Sequence, residues 1–169
     1  MTLYTIGHGT QPLDELVELL RCHGVERVVD VRSFPRSRKN PQFNNERLAS
    51  DLPAAGIAYE HAPDLGGRRR ALRLSPNAAW EHPAFRGYAD YMLEPAFWNA
   101  LDVLLTSSQT TPTAVMCSET LWWRCHRRMI ADAATARGAQ VVHIMKAGEA
   151  AAHRLTPFAR ISGDRLTYD

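Results

Sequence analysis

Apolar positions along the chain alternate between short β-like runs and stretches with helical spacing. Leu3 to Ile6 is an apolar run halted at Gly7-His8-Gly9, the pattern of a buried strand ended by a turn. Leu13, Leu16, Val17 and Leu20 then recur at three- and four-residue steps and predict a helix stopped by Gly24. Val25 to Val31 predicts a second strand that carries Asp30 and Arg32 to its carboxyl end, followed by a loop rich in proline and arginine. A short helix from Asn44, with Leu48 and Leu52 one turn apart, leads to a third strand over Ile57 to His61. Residues 62–85 hold no sustained period, as in a lid or binding loop. Helical spacing returns from Arg86 to Leu105, broken at Pro95.

The run Ala114-Val115-Met116 predicts a strand that ends on Cys117. A helix is expected to begin after Glu119 and to run to about Arg137, with Gly138 as its stop. Val141 to Met145 reads as the last buried strand, and 147–169 as an irregular tail. Strands alternating with helices predict an α/β fold: one three-layer domain over 1–169, with a mainly parallel sheet of about five strands and helices on both faces.

Composition narrows the classes. The chain has 169 residues, 45% hydrophobic and 22% charged, enough for one ordinary core. A net charge of +2 is too mild to mark a nucleic-acid binder by its bulk field. The kind of charge is more telling: of 20 lysines and arginines, all but Lys39 and Lys146 are arginine, the side chain that grips carboxylate or phosphate in a two-pronged fork. No stretch approaches the ~20 apolar residues of a membrane span, and MTLYTIGHG lacks the features of a secretory signal, so a cytoplasmic location and no membrane partner are expected. Three cysteines, Cys22, Cys117 and Cys125, argue against a disulfide framework in that compartment.

Cys117 has the strongest claim to chemistry. At a strand end before an expected helix its thiolate would feel the positive helix terminus and nearby arginines. Glu119 is a candidate proton donor or acceptor, or a first-turn acid complementing the helix. Cys125, in helical register with Met129 and Ala136, is expected to pack in the core. Known signatures fail by counting. The sixth residue after Cys117 is Trp123 where a cysteine phosphatase needs arginine, and SETLW lacks the glycines of a phosphate loop. Seven residues separate Cys117 from Cys125, which is poor spacing for zinc, and there is no Walker or dinucleotide glycine pattern. No metal or cofactor is therefore expected. Arginines cluster at Arg32, Arg36 and Arg38; at Arg68 to Arg70 with Arg73; and at Arg124, Arg127 and Arg128. With Phe34, Phe43, Trp122 and Trp123 they suggest an anionic ligand with a flat portion.

The ordered motifs TIGHG, DVRSFPRSR, LGG at Leu65 to Gly67, CSE at Cys117 to Glu119 and CHRR at Cys125 to Arg128 resemble the bacterial family catalogued as domain of unknown function 488. The matches run from Ile6 to about His143; Gly9 stands where a serine is common. The resemblance implies a single cytoplasmic α/β domain and no settled activity.

The leading expectation is a cysteine-dependent transferase or hydrolase acting on a small anionic, nucleotide-like substrate. Cys117 would be the nucleophile, Glu119 or His126 would move protons, and His8, Arg32, Arg38 and Arg127 would bind the anion. The alternatives are a nucleic-acid binding or processing module using the same arginines and aromatics, and a non-catalytic regulatory or interaction domain.

Overall fold

Thr113–Cys117 (β4) is buried at all five positions, as a strand covered on both faces of a parallel sheet must be. Around it the computed structural model, which describes residues 1–146 and 149–169, arranges β1 (Thr2–Gly7), α1 (Leu13–Cys22), β2 (Arg27–Asp30), α2 (Asn45–Ala54), β3 (Ala58–His61), α3 (Pro83–Tyr91) and α4 (Pro95–Ser108). After β4 come α5 (Arg127–Ala136), β5 (Gln140–Ile144), β6 (Ala150–Ala152) and a hairpin of β7 (Ala159–Ser162) and β8 (Arg165–Tyr168). The main sheet has the order β3-β2-β4-β1-β5-β6, parallel except for β6, which runs antiparallel to β5.

Helices cover both faces. Leu16, Val17 and Leu20 of α1 join Leu48 and Leu52 of α2 in one apolar cluster; Tyr88 of α3, Phe97 and Leu101 of α4 and Met129 and Ile130 of α5 join a second. The chain leaves β1 toward β2 and leaves β4 toward β5, so the direction of winding reverses between the neighbours β1 and β4. Such a reversal opens a crevice beyond the carboxyl ends of the strands. The register sets Gly7 opposite Cys117 and Asp30 opposite Met116 at that edge.

The expected mainly parallel sheet is present, with six strands, and the structure corrects two expectations. Part of the supposed irregular tail forms β6. The rest of the tail is anchored too: Tyr168 is fully buried, its backbone N–H donating to Asn77 Oδ1 and its hydroxyl to Asp132 Oδ2. The helix expected after Glu119 begins only at Arg127; Trp122–Arg124 is a single 3₁₀ turn and Cys125 is extended. Tertiary contacts override helical propensity there, since Trp122 lies flat on the His143 ring at 4.2 Å. Residues 62–85 are irregular apart from a 3₁₀ turn at Pro63–Leu65 and the start of α3. Asp90 of α3 holds the loop by accepting from Leu72 N, Ser75 Oγ and Asn77 Nδ2.

Candidate functional site

At the winding reversal lies a cleft of about 630 Å³. Its floor holds His8, Arg32, Cys117, Cys125 and His126; Arg36, Arg68 and Arg124 stand among its walls with Phe34, Phe85 and Tyr88. Arg68 packs over the exposed Phe34 ring at 5.1 Å, and Arg36 pairs with Glu46 at 3.3 Å. Arg124 and Arg68 have no carboxylate partner among the described residues. Arg38, an expected anion ligand, is exposed and lies outside the cleft wall; the neighbouring Arg36 takes that position.

Late onset of α5 changes the environment of Cys125. Instead of riding mid-helix, it sits two residues ahead of the helix and is buried, with its sulfur facing the first amides: Arg127 N–H donates to Cys125 Sγ at 3.5 Å. His126 Nε2 lies 2.8 Å from the Val31 carbonyl oxygen, which can only accept, so the proton resides on Nε2. That leaves Nδ1, 3.6 Å from Cys125 Sγ, free to take the thiol proton. Burial alone raises a thiol. Here the contacts from Cys117, His126 and Arg127 outweigh it and hold Cys125 well below the ordinary thiol range. Cys117 goes the other way: burial, and then its neighbour Cys125, push it up despite Arg127.

Arg127 is 1% exposed, and no carboxylate lies within ion-pair distance of it among the described residues. Its Nη2 donates to the Glu119 carbonyl at 2.5 Å and its Nη1 to Thr5 Oγ1 at 3.2 Å, while Nε is unpartnered. A buried guanidinium needs a counter-charge, and the adjacent sulfurs are the groups that can supply one directly. The Glu119 carbonyl also lies 3.9 Å from Cys117 Sγ. The Glu119 carboxylate is exposed and accepts from Leu121 N at 3.3 Å, so the main chain of this residue does the ordering. Gly7 makes room for it: a Cβ there would lie 1.9 Å from the Glu119 oxygen.

Behind Arg127 runs a buried chain of hydrogen bonds that the sequence did not disclose. Thr5 Oγ1 lies 2.6 Å from His143 Nδ1, His143 Nε2 lies 2.8 Å from His153 Nδ1, and His153 Nε2 lies 2.8 Å from Asp132 Oδ1. Arg127 donates to Thr5 at one end, and the His153 ring faces the carboxylate at the other. His143 is pushed down to about 3 by burial, by His153 and by Arg127.

His8 and Arg32 form a second buried unit. Arg32 grips Asp30 through Nε at 2.9 Å and Nη2 at 2.6 Å, and Nη2 also donates to the Phe43 carbonyl. Its Nη1 donates to His8 Nε2 at 3.2 Å, while His8 Nδ1 donates to the Gly9 carbonyl. His8, stacked on Phe43 at 4.2 Å, is pushed down to about 4, chiefly by burial. Most of the Arg32 donors are thus engaged by the protein itself.

The sheet and its floor define an α/β domain with a thiol pair, a histidine and a buried arginine at the winding reversal. The family described as "Domain of unknown function DUF488" matches residues 12–134, and the chain belongs to that family. The matched span includes CSE and most of the α5 segment but not His8, His143 or His153. No curated protein and no solved structure matches the chain. Among the described residues no three His, Cys, Asp or Glu side chains are grouped to hold a metal ion, and no helix is long and apolar enough to cross a membrane.

The sequence signal for Cys125 was available in CHRR, since a cysteine next to a histidine is a base beside a nucleophile. Helical periodicity assigned it to the core, and it does pack there, 7% exposed.

Proposed function

We propose that this protein is a cysteine-dependent transferase or hydrolase acting on a small anionic substrate with a flat, nucleotide-like portion, and that Cys125 rather than Cys117 is its nucleophile. The observation that carries the reading is the convergence of His126 Nδ1 and Arg127 N–H on Cys125 Sγ. His126 takes the thiol proton and returns it to the leaving group. Arg36, Arg68 and Arg124 draw the anion into the cleft, while Phe34 and Phe85 offer faces for a planar group. Arg32 and His8 shape the floor with the few donors they keep. Arg127, fixed by the Glu119 carbonyl, balances the thiolate.

Protection from alkylation tests the substrate class. Inorganic phosphate and a nucleoside monophosphate should slow modification of Cys125, whereas the uncharged nucleoside should not, and Arg68→Ala with Arg124→Ala should abolish the protection. Equal rates with and without both anions would refute it. The exposed Arg68–Phe34 pair and Trp123, 41% exposed, favour nucleic acid as the second reading. Short single strands would then bind with an affinity that falls steeply with salt, and absence of binding at low salt would remove that reading.

A further inference from the structure

The two buried thiols at the cleft floor have a relation that the transfer chemistry does not use. Cys117 and Cys125 are 3% and 7% exposed, both line the same cleft, and each thiol is among the groups that shift the other. Both are free. Both lie close to Arg127: Cys125 Sγ accepts from the Arg127 main-chain N–H, and Cys117 Sγ meets the Glu119 carbonyl to which Arg127 Nη2 donates. The Cys117 and Ser118 carbonyls are held by His8 N and Gly9 N, whereas the segment from Glu119 to Arg124 has one 3₁₀ turn and otherwise no helix or strand, so the Cys125 side of the pair is the one that can shift. Cys22 is exposed on α1 and does not line this cleft.

We propose that Cys125 and Cys117 are a hydroperoxide-oxidisable dithiol, in which Cys125 attacks the peroxide and Cys117 closes an intramolecular disulfide. This rests on the reading of Cys125 as a thiolate nucleophile and adds a second activity at the same atom. A hydroperoxide is small enough to reach sulfurs this deeply set. The Cys125 thiolate attacks the terminal oxygen, a sulfur–oxygen bond forms, and the oxygen–oxygen bond breaks. The alkoxide or hydroxide that leaves takes the proton held on His126 Nδ1. Cys117 then attacks the Cys125 sulfenic acid; the sulfur–oxygen bond breaks, the hydroxyl leaves with the Cys117 proton as water, and the disulfide forms. Two electrons pass from the thiol pair to the peroxide. The oxidised form has no free nucleophile, so the same step silences the transfer site until an external thiol reduces it.

The test uses Cys22→Ser protein, which removes the exposed thiol, treated with hydrogen peroxide and read by intact mass and peptide mapping. The expected product has lost two hydrogens and carries a Cys117–Cys125 cross-link, which a dithiol reductant reverses. In Cys22→Ser with Cys117→Ser, the reaction should stop at a Cys125 sulfenic acid trapped by a cyclic diketone, and with Cys125→Ser no sulfenic acid should form at neutral pH. Circular dichroism establishes that each variant is folded. Alkylation of Cys125 as a low-pKa thiolate, together with peroxide oxidation that runs to sulfinic acid without a cross-link, overturns the dithiol and leaves the nucleophile reading standing. A Cys125 that neither alkylates at neutral pH nor oxidises overturns both.

Discussion

His126 Nδ1 faces Cys125 Sγ at 3.6 Å because the other ring nitrogen is committed to the Val31 carbonyl at 2.8 Å. A main-chain acceptor on the end of β2 thus selects the tautomer that can take the thiol proton. His126→Gln keeps a donor for Val31 but provides no base. It should move the midpoint of the pH profile of Cys125 alkylation up by about one unit, the scale for losing one charge-assisted contact to the thiolate. An unchanged pH profile would remove His126 from the site.

Gly7→Ala places a methyl where the Glu119 carbonyl lies, 1.9 Å from an ideal Cβ. That backbone must move, and with it the acceptor of Arg127 Nη2. The variant should be destabilised by a few kcal/mol, as expected for overpacking plus a lost buried hydrogen bond. It should also lose Cys125 reactivity while still folded below its lowered melting temperature. Retained stability and reactivity would show that Arg127 is not held by this carbonyl.

Much of this architecture was legible in the chain. The β1 run, the α1 face of Leu16, Val17 and Leu20, the break at Pro95 and the arrival of Cys117 at a strand end all follow from local periodicity, and the structure keeps each. What periodicity could not reveal depends on distant partners. Trp122 is drawn onto His143, which delays α5; Cys125 still packs in the core, as expected, but ahead of the helix, where its sulfur accepts from the Arg127 main-chain N–H. The chain from Thr5 to Asp132 joins residues separated by as many as 138 positions, and no motif connects them. Arg36 and Arg38 are equivalent in composition, and only the course of the loop decides which lines the cleft.

Asp132 is fully buried and accepts from His153, the Thr156 amide and the Tyr168 hydroxyl. Asp132→Asn puts an amide donor against groups that themselves donate. It should cost about 3 kcal/mol or more, the scale for breaking a buried charged network, and should lower the urea midpoint accordingly. Tyr168→Phe removes one donor and should cost about 1 kcal/mol. Equal midpoints for both variants and the parent would contradict a continuous relay.

Acid stability reports the two neutral histidines. His8 and His143 have folded-state values of about 4 and about 3, below the ordinary ~6.5 of an unfolded chain. As pH falls below ~6.5 the unfolded chain takes up protons that the folded protein refuses, so stability should decline until the folded values are reached. The urea midpoint should therefore drop between pH 6.5 and 4. In His8→Gln, measured against its own neutral-pH midpoint, the drop should be smaller; an identical slope would show that His8 is not buried neutral.

The central claim is that the reactive thiol is Cys125. Alkylation of the native protein with a small reagent across pH, with each site located by peptide mass mapping, measures all three cysteines in one experiment. Cys125 should react first, with a midpoint well below the ordinary ~8.5, and Cys117 should titrate above it. Modification of Cys117 ahead of Cys125, or a Cys125 midpoint at or above that of Cys22, would contradict the account.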